Sequence, residues 1–212
     1  MADTAVPIRL SAETPLTAGP DGCANAVRVL GPRATRDTFE ALGTSHPVDV
    51  SDTPDTRDSK ALRRGFGAFP TGVAALAALV DGEPVGMAVN SFTSVSLDPP
   101  LVSVCAATES RTWRRLRTAA HVGISVLSAT QEQACGQLAA RETDRFAGLP
   151  WRATGDGAVL LGGAGAWFEC SVERELPAGD HEIIVLRVHR FGVDPQLAPL
   201  VFHGSRYRRL AE

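Results

Sequence analysis

Residues 73–95 read VAALAALVDGEPVGMAVNSFTSV, and this stretch decides the expected fold. Two runs rich in apolar residues, 73–80 and 85–95, flank the dipeptide Asp81-Gly82. Asp-Gly between two such runs is a strong signal for a β-hairpin. We therefore predict two antiparallel strands that are joined at Asp81-Gly82.

The rest of the chain repeats this pattern of short strands. Apolar runs predict strands over 101–106, 122–127, 166–173, 182–191 and 200–203, with a last extended piece over 206–210. Helical spacing predicts one helix that Ser59 caps and Pro70 and Gly72 stop, and two more over 112–119 and 131–140. Many strands and few helices favour a mainly β fold with peripheral helices, in the form of a closed or nearly closed β-barrel.

Composition and charge exclude several functional classes. The 212 residues include 21 basic and 24 acidic side chains, for a net charge of −3, which is not the basic excess of a nucleic-acid binder. No run approaches the roughly 20 apolar residues that span a bilayer. The first ten residues, MADTAVPIRL, lack a basic segment followed by an apolar one, so no secretory signal is visible. We expect a cytoplasmic protein without nucleic-acid or membrane partners.

The motifs of the common metal and nucleotide sites are missing from the sequence. The cysteines lie far apart and are expected to be reduced thiols, and the five histidines lack metal-ligand spacing, so we expect no metal site. There is no G-x-S-x-G elbow, phosphate-binding loop or G-x-G-x-x-G fingerprint. The glycines at 162, 163 and 165 are interpreted as a bend. Hydrolase and nucleotide kinase functions therefore have no support.

Composition changes near residue 59. Residues 1–58 hold six prolines, and nine acidic against five basic side chains. Such a segment buries too little apolar surface to offset the entropy of ordering. We predict a Pro-rich N-terminal arm over 1–58, poorly ordered or draped over the protein, with a possible short helix over 35–42. A single domain follows over 59–212.

Residues 90–96, Asn-Ser-Phe-Thr-Ser-Val-Ser, form the most unusual segment. Five of the seven side chains are small and polar, and a di-proline turn follows at 99–100. Hydroxyls and free backbone N–H groups at this density can hold a phosphate or line the edge of a polar heterocycle. The alternative is an exposed β-edge rich in Ser and Thr, which composition alone favours.

Four motifs follow one another in the predicted domain. They are F-P-T-G-V at 69–73, N-S-F-T-S-V-S-L-D-P-P-L-V at 90–102, V-L-S-x-x-Q at 126–131 and G-D-H at 179–181. Their order and spacing resemble those of the short-chain flavin reductase family, over residues 59–209. The resemblance implies the FMN-binding split β-barrel of Greek-key type. It also implies a homodimer with flavin near the subunit interface.

The resemblance implies a set of flavin contacts. The first two motifs would border the isoalloxazine ring and ribityl chain, through Pro70, Thr71, Gly72, Val73, Asn90, Ser91, Phe92, Thr93, Ser94, Val95 and Ser96. Ser110 would cap a helix and present its N-terminal amides to the flavin phosphate. The arginines after it add positive charge, or at least two of them form a solvated helix face. Gln131 would touch flavin or simply start a helix, and a looser motif places Phe146 near the flavin.

The G-D-H motif carries the implied nicotinamide site. By the resemblance, Gly179, Asp180 and His181 meet NADH, with His181 near the nicotinamide and Asp180 orienting its imidazole. Tyr207 would close this pocket, although plain packing explains it equally well. A lone histidine without such a motif would be interpreted as a strand-end residue with no role.

The implied activity is hydride transfer from C4 of NADH to N5 of FAD or FMN. The reduced flavin would then diffuse to a partner flavin-dependent monooxygenase. The cofactors supply the organic chemistry, and the protein supplies orientation and electrostatics. Two alternatives stay open, namely a flavoprotein that keeps its flavin and acts directly on an organic substrate, and a non-catalytic flavin-binding module.

Overall fold

The computed structural model describes residues 53–140 and 144–210. Its helices are α1 (Ser59–Gly67), α2 (Arg111–Leu116) and α3 (Glu132–Ala139). Its strands are β1 (Thr71–Gly72), β2 (Ala74–Val80), β3 (Glu83–Val89), β4 (Thr93–Leu97), β5 (Pro100–Ala107), β6 (Val122–Val126), β7 (Trp151–Ala153), β8 (Val159–Leu161), β9 (Ala166–Ala178), β10 (His181–Val193), β11 (Val201–His203) and β12 (Arg206–Arg208). Residues 1–52 of the predicted arm, which include the short helix predicted over 35–42, lie outside the described residues. The division into an arm and a domain therefore stays a prediction.

The predicted hairpin is confirmed. β2 and β3 pair antiparallel, with Val80 opposite Glu83. Asp81 and Gly82 have φ angles of 56° and 82°, the left-handed conformation that a two-residue hairpin turn requires. The second strand, however, does not continue to Val95 as predicted. It ends at Val89, and residues 90–92 turn the chain away from β2 into the separate strand β4.

Seven antiparallel strands form the main sheet, in the order β3-β2-β6-β9-β10-β5-β4. β3 and β4 stand at opposite ends of this order, yet only residues 90–92 separate them in the chain. The sheet must therefore curl until its two edges approach each other, which produces a barrel that is split between them. The mainly β split barrel with peripheral helices is confirmed. Two small sheets, β1-β11-β12 and β7-β8, complete the fold.

Both faces of β2 are buried, which explains its unbroken apolar sequence. Ala74, Leu76 and Ala78 belong to a first core with side chains of β5, β6, β10 and α2. The alternate residues Ala75 and Ala77 belong to a second core with α3, β8 and β11–β12. Successive strand residues point to opposite faces, so a strand between two cores shows no polar alternation.

Several predicted boundaries were wrong. α1 is capped by Asp58 rather than Ser59, because the Asp58 carboxylate accepts the backbone N–H groups of Lys60 and Ala61 at 2.9 and 3.1 Å. β9 and β10 each run for 13 residues and so extend beyond the predicted strands to meet at Gly179-Asp180. β7 and β8 were not predicted, since each has only three residues.

Candidate active site

β5 lies between the two polar segments, which the sequence separates by about 90 residues, and pairs with them on opposite sides and at different points along its length. Thr93 of the 90–96 segment lies opposite Ser103 on one side of β5. On the other side, His181 lies opposite Ala107. The backbone N–H of Thr108 donates to the carbonyl of Asp180 at 3.0 Å. A single strand therefore positions both the Ser/Thr-rich segment and the G-D-H turn.

Ser91 and Phe92 anchor the corner where the chain leaves β3. The Ser91 hydroxyl accepts from the Cys105 backbone N–H at 2.9 Å and donates to the Cys105 carbonyl at 3.2 Å. It thus replaces a missing strand partner on that side of β5. The Phe92 ring stacks on Phe168 at 5.6 Å between centroids. The structure gives both side chains contacts within the barrel, and their implied flavin contacts stay predictions.

The remainder of the segment offers polar groups that the barrel does not use. Thr93, Ser94 and Val95 are exposed, and Ser96 is half-buried. The pairing with β5 shifts register between Ser94 and Ser96, which marks Val95 as a β-bulge. In the described part of the chain, β4 pairs with β5 alone, so its outer edge presents free backbone groups. These groups can hydrogen-bond to a polar heterocycle without the loss of a hydrogen bond that the barrel uses.

The F-P-T-G-V motif borders the same corner. Val89 lies opposite Ala74, so Val73 and Asn90 follow side by side at this end of the sheet. The backbone of Val73 is fixed on both sides, since its N–H donates to Leu200 and its carbonyl accepts from Leu127. The hydroxyl of Thr71 is buried and has no hydrogen-bond partner among the described residues. A buried polar group left without a partner points to a bound group that would satisfy it.

Asp180 and His181 form an exposed pair on the turn between β9 and β10. Gly179 has a φ angle of 68°, which a side chain would make costly. The Nδ1 of His181 lies 2.7 Å from Oδ1 of Asp180. This hydrogen bond holds the pKa of Asp180 below its usual range, and Arg63 adds a smaller effect in the same direction. Because a carboxylate only accepts, it fixes the proton on Nδ1 of a neutral imidazole and leaves Nε2 for a ligand.

Ser110 caps α2, as predicted. Its hydroxyl accepts from the backbone N–H of Trp113 at 3.1 Å. Of the arginines on this helix, Arg114 pairs with Glu109 at 3.2 Å and Arg117 pairs with Glu175. The contact of Ser110 with a flavin phosphate stays a prediction.

Gln131 and Tyr207 use their polar atoms within the protein. The Gln131 side chain accepts from the backbone N–H of Ser128 and donates to the Gly162 carbonyl, both at 3.0 Å. The Tyr207 hydroxyl donates to Sγ of Cys135 at 3.1 Å, and this bond, with burial, raises the Tyr207 pKa to about 12. Hydrogen bonds within the protein do not test the cofactor contacts of Gln131 and Tyr207, which stay predictions.

Phe146 is also packed inside the protein. It is buried in the second core, edge-to-face with Trp151 at 6.3 Å between ring centroids. A side chain on Gly86 would strike its ring and the Leu76 carbonyl, each at 2.7 Å. The ring therefore lies directly on the barrel wall.

A second carboxylate–histidine pair, Glu169 and His121, was not predicted from the sequence. Glu169 is fully buried, and its carboxylate accepts from His121, Thr154 and Arg190. Burial raises its pKa, but the hydrogen bonds outweigh burial and lower it to about 2. His121, Asp156 and Glu169 bring ligand atoms within 4.8 Å of one another, although Arg190 already pairs with Glu169 at 2.5 Å and approaches Asp156 at 3.9 Å. His121, Asp156 and Glu169 lie too far apart in the sequence to form a recognisable motif.

The split barrel and the motifs that flank β5 define the class of FMN-binding split-barrel proteins. Residues 66–211 match the family described as the flavin reductase like domain, and the chain belongs to this family. The resemblance inferred from the four motifs is therefore confirmed.

No helix in the described ranges is long and apolar enough to cross a membrane.

Named relatives agree with this assignment. A probable flavin reductase of Rhizobium meliloti is 46% identical over 66% of this chain and 45% of its own length. The reductase subunit HsaB of a flavin-dependent monooxygenase from Rhodococcus jostii is 34% identical over 71% of this chain and 77% of its own. The chain spans about half the length of the Rhizobium meliloti relatives it matches, 45% of one and 60% of another.

A solved structure supports the fold. The NADH:FAD oxidoreductase SgcE6 of Streptomyces globisporus, in complex with NAD and FAD fragments, superimposes with a TM-score of 0.72. It is 39% identical to this chain, and the match covers 76% of this chain and 98% of that one.

Proposed function

We propose that this protein is an NADH-dependent flavin reductase that passes hydride from C4 of NADH to N5 of a flavin. The pairing of β5 with the 90–96 segment on one side and with His181 on the other side carries the proposal. Relatives named as flavin reductases and an NADH:FAD oxidoreductase of the same fold support it. The flavin is FAD or FMN, and FAD is favoured by the named structural neighbour.

The residues present fit a flavin. The orphaned hydroxyl of Thr71 lies in the motif that borders Asn90, and a polar ring edge there would supply the missing partner. Exposed hydroxyls and free backbone groups of β4 flank the same corner. In the proposal, 70–73 and 90–96 hold the ring and ribityl chain, and Ser110 holds the phosphate. The flavin, when bound, supplies the hydride acceptor.

The protein's own part in the reaction is orientation. Asp180 holds the N–H of Nδ1 of His181, so Nε2 is left to accept a hydrogen bond at the nicotinamide side. Holding two rings in a near-attack geometry removes much of the entropic barrier, and no strong acid or base is required. The anchored corner at Ser91 and Phe92 keeps the flavin segment in place against β5.

Two further features belong to the proposal. We infer a homodimer, because Phe66, Phe69 and Leu97 are exposed apolar side chains on the segments that flank the site, and a second copy would cover them. We infer delivery of reduced flavin to a partner monooxygenase, because HsaB is named as such a reductase subunit. The free thiols of Cys105, Cys135 and Cys170 suit the cytoplasm.

One assay tests the activity. Purified protein is mixed with NADH and a small amount of FAD, FMN or riboflavin, and NADH absorbance is followed. We expect many turnovers of added free flavin. A flavin that co-purifies at one per chain, with no turnover of added flavin, would contradict the proposal and favour a flavoprotein acting on its own substrate. Light scattering of the purified protein tests the homodimer.

A further inference from the structure

Glu175 of β9 bonds two residues of α2 at once. Its Oε1 accepts the indole N–H of Trp113 at 3.1 Å, and its Oε2 accepts from the guanidinium of Arg117, the C-cap of the helix. Trp113 and Arg117 are four residues apart, so they lie on the same face of the helix, one turn from each other. The proposed function assigns no role to Glu175, although both of its carboxylate oxygens are used.

The need to satisfy the Trp113 indole explains only part of this arrangement. Trp113 is 1% exposed and packs in the first core, and a buried indole N–H needs an acceptor. A backbone carbonyl or a neutral side chain would be enough. The acceptor is instead a carboxylate, 21% exposed, that also pairs with Arg117. Removing most of a carboxylate from water costs free energy, so a charge at this position indicates a second role.

A β-bulge sets the direction of Glu175. β9 and β10 shift register at Glu173, the extra residue on β9. Arg187 pairs with Glu173 at 2.8 Å and holds the bulge in place. Beyond the bulge, Glu175 lies opposite Ile184, which is buried in the first core. Residues that lie directly opposite in antiparallel strands share a face, so Glu175 faces the barrel interior, where α2 packs.

α2 is attached to the β9–β10 hairpin near both of its ends. Glu175 holds the C-terminal end, and Asp180 of the G-D-H turn follows five residues later in the chain. Near the N-terminal end, where Ser110 caps the helix, the backbone N–H of Thr108 donates to the Asp180 carbonyl at 3.0 Å. The orientation of α2 and the position of the G-D-H turn are therefore linked through this hairpin.

We propose that Glu175 is a positioning residue that fixes α2, and with it the flavin, relative to the nicotinamide. The inference rests on the proposed function, in which Ser110 at the start of α2 holds the flavin phosphate and His181 faces the nicotinamide. The attachment at Glu175 prevents α2 from pivoting about the contact between Thr108 and Asp180. Hydride transfer depends steeply on the placement of the two rings, so a small rotation of α2 slows the reaction without removing either binding site.

The first test measures hydride transfer in Glu175→Gln by stopped flow, at saturating NADH and FAD. The amide still accepts the Trp113 indole N–H but lacks the charge that holds Arg117. We expect the rate constant of hydride transfer to fall about tenfold, and the dissociation constants of FAD and NADH to change by no more than about twofold. Glu173→Gln is the matched control, because it makes the same substitution on the same strand and breaks only the surface pair with Arg187. Its rate constant should stay within about twofold of wild type.

Variants of Arg117 test whether the pair, rather than the general stability of the fold, sets the rate. Arg117→Gln should slow hydride transfer as much as Glu175→Gln does, and Arg117→Lys, which keeps the charge, should restore part of the rate. The double variant Glu175→Gln/Arg117→Gln should be no slower than the slower single variant, because both substitutions remove one interaction. Effects that multiply in the double variant would contradict a role for this pair.

Hydrogen exchange measures the same linkage without any cofactor. The Asp180 carbonyl protects the Thr108 amide. We expect this amide to exchange about tenfold faster in Glu175→Gln than in wild type, because α2 is released at its other end. Exchange in Glu173→Gln should match wild type. An equal acceleration in the amides of β2 would indicate global destabilisation and would contradict a positioning role.

The outcome is separable from that of the proposed function. If the wild type reduces flavin and Glu175→Gln does so with a rate constant within about twofold of it, this inference alone is overturned. Weaker binding of FAD or NADH at an unchanged rate constant would overturn it as well. A wild-type protein that transfers no hydride from NADH would remove both the proposed function and this inference.

Discussion

Two carboxylate–histidine pairs stand in this barrel with nearly the same geometry and opposite surroundings. Asp180 and His181 lie 2.7 Å apart, with side chains 95% and 48% exposed. Glu169 and His121 lie 3.0 Å apart, but the Glu169 side chain is 0% exposed and also bonds Arg190 and Thr154. The first pair keeps a ring nitrogen available for a ligand, whereas the second directs its carboxylate entirely to the protein. Hydrogen-bonding capacity that remains after folding, rather than residue type, distinguishes a candidate site from a structural cluster.

The largest expected effect is on the buried pair. Glu169→Gln removes the charge that Arg190 and His121 contact, and we expect the free energy of unfolding to fall by about 3 kcal/mol. Urea unfolding measures this loss. Glu173→Gln, whose partner Arg187 lies 2.8 Å away near the surface, is the matched control and should change stability much less. If Glu169→Gln and Glu173→Gln lower stability equally, burial of the Glu169 carboxylate makes no difference to its contribution.

The buried pair should also make the stability of the protein depend on pH in the acid range. The pKa of Glu169 is about 2 in the folded protein, below the ordinary 4.5 of the unfolded chain, so its ionised form stabilises the fold. This contribution is fully present above about pH 4.5 and is lost as pH falls towards 2. The difference between the two pKa values corresponds to a loss of up to about 3 kcal/mol in the free energy of unfolding. Urea unfolding across this window should show the loss in wild type and a flatter profile in Glu169→Gln. If stability falls with pH equally in wild type and Glu169→Gln, Glu169 does not cause the loss of stability in acid.

The exposed pair should respond in activity instead of stability. His181→Ala should lower kcat/KM for NADH at least tenfold, because a hydrogen bond to the nicotinamide side is lost. Flavin affinity and the unfolding midpoint should stay unchanged. Steady-state kinetics with varied NADH, together with flavin fluorescence titration, measure both. NADH kinetics within about twofold of wild type would show that His181 has no such role.

Ser91 sharpens the comparison, because it lies in the candidate site but uses its hydroxyl within the barrel. Ser91→Ala leaves the Cys105 backbone groups without this partner and should cost about 1 kcal/mol of stability. Flavin affinity should fall along with stability, since the corner loosens, and Ser91→Thr should restore both. Denaturant unfolding and flavin titration follow the two effects. Weakened flavin binding at unchanged stability would instead indicate a direct cofactor contact.

Local signals in the sequence predicted what local physics decides. Asp81-Gly82 marked the hairpin, and Ser110 marked the cap of α2, because a turn and a cap depend on neighbouring residues. The G-D-H motif marked the Asp180–His181 contact for the same reason, since the two residues are adjacent.

The unpredicted features all depend on residues far apart in the chain. Ser91 bonds to backbone groups 14 positions away, which no side-chain pattern announces. Glu169 meets His121 across 48 positions, and Arg145 reaches Gly86 across 59. The predicted strand over 85–95 failed for this reason, because the Ser91 anchor and the Phe92–Phe168 contact end it at Val89.

A crystal structure with both FAD and NAD bound tests the central claim most directly. We expect the isoalloxazine ring at the Asn90 corner beside Thr71, and the nicotinamide facing Nε2 of His181. Both rings found elsewhere, with the hydroxyl of Thr71 still unpartnered and no ligand beside Asn90 or His181, would contradict this claim.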